Sequence, residues 1–92
     1  MPATFDLDRA WRIHPQVSVR PEPFGALLYH FGTRKLSFLK DRALLAVVQG
    51  LEATPSAASA CDSAGIAPAD RPRFARALGT LAASSMLVEA AA

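Results

Sequence analysis

The stretch that most limits how this chain can fold is Gly25 to Lys40, GALLYHFGTRKLSFLK, two short apolar runs around a lone glycine. Gly32-Thr33 is taken as a two-residue turn, with glycine in the first central position as a type II′ turn requires. The register of an antiparallel hairpin then follows. Phe31 faces Arg34, His30 faces Lys35, Tyr29 faces Leu36, Leu28 faces Ser37 and Leu27 faces Phe38. Successive side chains of a strand point to opposite faces. One face therefore holds Leu27, Tyr29, Phe31, Leu36 and Phe38, and is the expected core side. The other holds Leu28, His30, Lys35 and Ser37, with His30 on the solvent side opposite Lys35. A one-residue slip would scramble this division. The strand Arg34 to Leu39 is expected at the sheet edge, where its unpaired backbone groups invite a partner.

The rest of the chain builds around that hairpin. Residues 1–16 are an arm carrying Phe5, Leu7, Trp11 and Ile13. Asp8 is placed to cap a helical turn through Trp11, which His14-Pro15 ends because the residue before proline avoids the α region. Val17 and Val19 alternate with Ser18 and Arg20 in a short strand that Pro21 and Pro23 are expected to stop. KDRALLAVVQGL reads as a helix whose inner stripe is Leu44, Val48 and Leu51, widened by Leu45 and Val47. Asp41 is its expected N-cap, with Ser37 the alternative. Thr54-Pro55 should open a second helix through Ala57, Ala58 and Cys61, ended by Gly65. A third helix starts near Asp70, turns Phe74, Leu78 and Leu81 inward and sets Arg73, Arg76 and Thr80 on another face. Met86 to Val88 returns to the core. Three strands followed by three helices make one α+β domain over residues 1–92, winged-helix-like in composition. Its sheet spans 17–39 and its helices 40–89.

Composition narrows the function. Ninety-two residues, 51% of them apolar, bury one modest core and cannot also enclose a large cofactor. The net charge is only +2, with the positive bias in residues 1–42. No signal peptide or membrane-spanning run is present, so the cytoplasm is the expected location. A single cysteine excludes an intrachain disulfide. His14, His30 and Cys61 have no metal-ligand spacing, and the scattered glycines form no phosphate loop. Cys61, on an alanine-rich helix face, is expected in the core. No catalytic residue, metal or cofactor is expected.

Two binding functions remain. Arg71, Arg73 and Arg76 open the third helix, as in a winged-helix DNA regulator. Pro72 sits among them, however, and Asn or Gln base readers are absent. The other function is peptide capture. An exposed edge strand beside a helix can take an extended peptide as a further strand. The edge offers Lys35 and Ser37 on one face, Leu36 and Phe38 on the other. The helix offers Arg73, Arg76, Ala77 and Thr80, where the small residues leave room and the arginines suit acidic side chains. The competing arrangement covers the same edge with the N-terminal arm or a second subunit.

The run from His14 to Leu51, and most specifically VRPEPFGALLYHFGTRKLSFL from Val19 to Leu39, resembles the PqqD-like peptide chaperones of mycofactocin biosynthesis. The likeness is close over residues 5–51. Beyond them it is a pattern, a Thr-Pro before a helix and a final helix ending in SMLVE. The resemblance implies a fold of three strands and three helices. It also implies binding of the mycofactocin precursor peptide and its presentation to a radical S-adenosylmethionine (SAM) maturase, which decarboxylates and cross-links the precursor's C-terminal Val-Tyr. The leader would add to the strand Arg34, Lys35, Leu36, Ser37, Phe38 and Leu39, against the Arg73, Ala77 and Thr80 face of the third helix. No cofactor, nucleic acid or membrane enters this picture, and an open edge permits a homodimer. Arg20, Glu22 and Phe24 are the expected contact with the enzyme, although a structural crossover that buries Phe24 is slightly favoured.

Overall fold

A computed structural model describes residues 5–90, so positions 1–4 of the arm lie outside the described residues. The strands are β1 (Trp11–Ile13), β2 (Val17–Glu22), β3 (Gly25–His30), β4 (Leu36–Leu39) and β5 (Leu87–Glu89). The helices are α1 (Arg42–Gly50), α2 (Ala57–Ser63) and α3 (Arg71–Ala83). β2, β3 and β4 form the antiparallel sheet in that order, leaving β2 and β4 at its edges. The fold is the expected α+β arrangement of a three-stranded sheet and three helices. One element was not foreseen: β1 and β5 pair as a separate two-stranded ribbon. The Asp8-capped helical turn is therefore absent. Asp6 instead folds a tight turn by accepting the Asp8 N–H at 2.9 Å, and the chain then extends into β1.

The hairpin register is as expected, with Leu27 opposite Phe38, Leu28 opposite Ser37 and Tyr29 opposite Leu36. Its turn and its faces are not. The strands are joined by a four-residue loop, Phe31–Arg34. The His30 N–H bonds the Lys35 carbonyl, and Arg34 closes the loop at a φ of 63°. Gly32 does not adopt the left-handed conformation that a type II′ turn demands. It is small because a Cβ there would collide with the His30 ring and the Gln16 side chain. The Phe31 N–H bonds the Gln16 carbonyl rather than Arg34.

The inward face is the one holding Ala26, Leu28, His30 and Leu39, all buried. Leu27 and Tyr29 are half-buried, and Phe31, Leu36 and Phe38 stand exposed. The sign of the face follows from what the helices provide. Val47 and Val48 of α1, the helix that packs on β3, make an aliphatic surface that Ala26 and Leu28 can approach closely, in a core shared with Leu51 and Leu78. His30 fits that surface because it is satisfied locally. Its Nδ1 accepts the N–H groups of Gly32 at 3.0 Å and Thr33 at 3.1 Å, so burial leaves no orphaned acceptor there.

β2 runs through Pro21 to Glu22, paired with Gly25, and Pro23-Phe24 forms the turn. Ladder bonds alternate along an antiparallel pair. The Phe31-to-Gln16 bond sets the phase, which turns the backbone of position 21 toward the open edge. The missing proline donor costs no ladder bond there. Gly25 has a φ of 147°, and a Cβ on it would strike the Leu39 carbonyl.

Asp41 caps α1, accepting the Ala43 N–H at 2.8 Å. α2 is capped by Ser56, not Thr54; the Thr54 hydroxyl instead donates to the carbonyls of Gly50, at the end of α1, and Leu51, in the short 3₁₀ turn that follows. Gly65 ends α2 at a φ of 76°, as expected of a C′ glycine. α3 buries Phe74, Leu78 and Leu81, and Met86 and Leu87 return to the core.

Candidate functional site

β4 is the start of the site. The His30-to-Lys35 bond sets the ladder phase, so Ser37 and Leu39 turn their backbone groups to β3. Leu36 and Phe38 turn theirs outward to the open edge. The described part of the arm does not cover that edge. It packs over α2 instead, with the Arg9 and Leu7 carbonyls accepting the Ala57 and Ala58 N–H groups. Phe5 and Trp11 stack at 4.4 Å, with Phe5 close to Gly79 of α3.

At the foot of β4 the chain turns at Asp41, which ties three elements together. One carboxylate oxygen caps α1; the other lies 3.5 Å from Arg73 Nη1 on α3. Arg73 also reaches Asp70 at 4.0 Å, and its guanidinium lies over the Phe74 ring at 4.7 Å. Asp41, Leu44, Arg73, Phe74 and Ala77 line an open depression of about 80 Å³, predominantly apolar with a charged lip. That volume suits one small side chain.

The expected site residues divide accordingly. Arg34 and Lys35 are exposed in and beside the loop, Leu36 and Phe38 are exposed on β4, and Ser37 is half-buried. Leu39 is buried and belongs to the core. Arg73 and Ala77 meet in the depression. Thr80 lies one turn further on the same side of α3, its hydroxyl donating to the Arg76 carbonyl. Asp41, Leu44 and Phe74 were not among the expected residues. The sequence marks Asp41 only as a cap and Phe74 only as core.

The other candidates are also placed. Arg20 and Glu22 form an ion pair at 3.0 Å, and Phe24 sits at the β2–β3 turn, exposed rather than buried by a crossover. Of the three arginines opening α3, Arg71 is paired with Asp62 and Arg73 with Asp41. Only Arg76 makes no ion pair among the described residues, which leaves little charge for phosphate on that helix. Cys61 is fully buried, and that burial raises its thiol pKa, partly offset by the nearby Arg71 guanidinium. Among the described residues no group of three or more metal-ligating side chains comes together, and no helix is long and apolar enough to cross a membrane.

Comparison with known proteins bears on this geometry. The family model for the peptide chaperone MftB family matches residues 10–88, which include β1, the whole sheet, all three helices and all but the last residue of β5. The chain is 64% identical over 84 residues to a peptide chaperone MftB of Mycobacterium tuberculosis, covering 91% of this chain and 77% of the relative. Its identity to the protein of the same name from Mycobacterium ulcerans is 61%, with the same coverage. For that of Mycolicibacterium smegmatis it is 59%, over 92% of this chain and 83% of the relative. No solved structure matches. With a match across nearly the whole fold and relatives at this identity, the chain belongs to the peptide chaperone MftB family.

Proposed function

We propose that this chain binds the leader of the ribosomally made mycofactocin precursor as an extra strand on β4, and holds it for a radical SAM maturase. The observation that carries this is the open edge of β4. Leu36 and Phe38 point outward backbone groups that no other described strand pairs, and the depression at Asp41, Arg73 and Ala77 lies at the foot of the strand. Backbone bonds give such an added strand its affinity, and pockets for alternate side chains give its specificity. Arg76, exposed on α3 and without an ion pair among the described residues, suits an acidic leader residue, while the depression suits a small one. Lys35, Ser37 and Thr80 flank the path. Membership of a family named for chaperoning peptides supports the same role.

In this proposal the chain makes and breaks no bond itself. By holding the leader it raises the effective concentration of the precursor's reactive end at the maturase, the advantage of a tethered reactant. The setting is the cytoplasm. Calorimetric titration with the precursor, full-length and leader-only, tests it. Both should bind with a Kd of about 1 µM or tighter, roughly −8 kcal/mol. Absence of binding at tens of micromolar protein would refute simple carriage.

A further inference from the structure

Every large apolar side chain that stands exposed among the described residues lies on the outer side of one sheet and its two turns: Phe24 (44%), Phe31 (61%), Leu36 (54%) and Phe38 (58%). Register places Leu36 and Phe38 beside Tyr29 and Leu27. Phe31 meets Tyr29 edge-on at 4.9 Å, and Phe24 lies 6.2 Å from Phe38, so the patch runs continuously from one turn to the other. An antiparallel sheet that faces water ordinarily turns polar side chains outward. β2 does so here with Ser18, Arg20 and Glu22, whereas β3 and β4 do not. A contiguous apolar face of this kind marks a contact surface.

The rim says what covers it. Arg20 stands opposite Leu27 across the β2–β3 pair. Arg34 closes the loop that carries Phe31. Lys40 follows Phe38 by two residues along the same alternation. Arg42 donates to the Pro23 carbonyl at 3.1 and 3.3 Å, next to Phe24. Glu22 is the one carboxylate on β2, β3 and β4, and Arg20 already engages it at 3.0 Å. A second copy of this chain would set these cations against their own counterparts.

We propose that this outer face docks a protein partner whose contact patch is apolar at the centre and lined by carboxylates at the rim. Resting on the function proposed above, that partner is the maturase. Leu36 and Phe38 serve both surfaces, with backbone for the peptide and side chains for the partner. A docked enzyme therefore sits directly beside the bound leader.

The test titrates the purified maturase and, separately, the precursor into the wild-type chain and two variants, Phe24→Ser/Phe31→Ser and Lys40→Glu. The serines lie outside β4, so the double variant should bind precursor within about twofold of wild type. Its affinity for the maturase should fall by roughly a hundredfold, about tenfold for each aromatic anchor. Lys40→Glu should weaken the same complex and flatten its salt dependence. Wild-type maturase affinity in the folded double variant would overturn the proposal. So would a wild-type chain with no affinity for the maturase, or a wild-type dimer that the serines convert to monomer. If the wild type fails to bind precursor yet loses maturase affinity through the serines, the docking surface stands and the peptide site falls.

Discussion

His30 shows how a polar side chain enters a small core. Its Nδ1 accepts two backbone N–H groups of the loop that follows it, and its ring lies 4.4 Å from that of His14. Removing that acceptor leaves two donors without a partner, at about 1–3 kcal/mol. His30→Ala should lower the midpoint of urea unfolding accordingly, and His30→Asn should recover part of the loss if its amide oxygen replaces Nδ1. Cys61 ties stability to pH. Its thiol is favoured in the neutral form by burial, so its folded pKa lies above the unfolded one. That contribution is complete below about pH 8.5 and is lost as pH rises past it. Urea melts of Cys61→Ala should accordingly lose less stability than wild type between about pH 8 and pH 10. The burial of Cys61 was legible from its alanine-rich helix face, whereas the place of His30 was not. A histidine between apolar neighbours gives no sign of which face it takes until the acceptor's donors are located. By contrast, Asp41 as the α1 cap and Gly65 as the α2 stop were both legible, because each depends on a few adjacent residues.

The hairpin carries the lesson at the scale of elements. Its register could be read because apolar runs and one turn leave few alignments. Its orientation could not, because alternation gathers Leu27, Tyr29, Phe31, Leu36 and Phe38 on one face and sets His30, Lys35 and Ser37 on the other, the reverse of what the fold buries. The face with more aromatics was the natural candidate for the core, yet α1 packs on the smaller Ala26 and Leu28. Leu28→Ala should therefore destabilise by about 2–5 kcal/mol, a large part of the roughly 5–15 kcal/mol such a domain has. Phe31→Ala should change stability by only about 0.5 kcal/mol. Equal losses in thermal melts would contradict this assignment of faces. The open edge allows a sharper perturbation. The Leu36 N–H points away from β3, so Leu36→Pro removes an outward donor while sparing the ladder. The variant should remain folded by circular dichroism and bind precursor at least about tenfold more weakly.

Across the whole molecule, the strand-then-helix order was legible because the periods switch cleanly near Asp41. The ribbon of β1 and β5 was not, since three residues at each end of the chain carry no pairing signal by themselves. It closes the fold from behind, with the Met86 carbonyl accepting the His14 N–H at 2.9 Å and the Ala10 carbonyl accepting that of Ala90 at 3.0 Å. That placement keeps both the described arm and the C-terminal segment off β4. Among the described residues nothing then covers the edge, the depression beside Arg73 or the aromatic face. The most direct test of strand addition is amide hydrogen exchange, residue by residue, with and without saturating precursor. In the free chain the Leu36 and Phe38 amides should exchange quickly and those of Ser37 and Leu39 slowly. The precursor should slow Leu36 and Phe38 at least about tenfold. If those two amides stay fast while protection appears on α3 or β2 alone, the peptide does not add to β4, and the central claim fails.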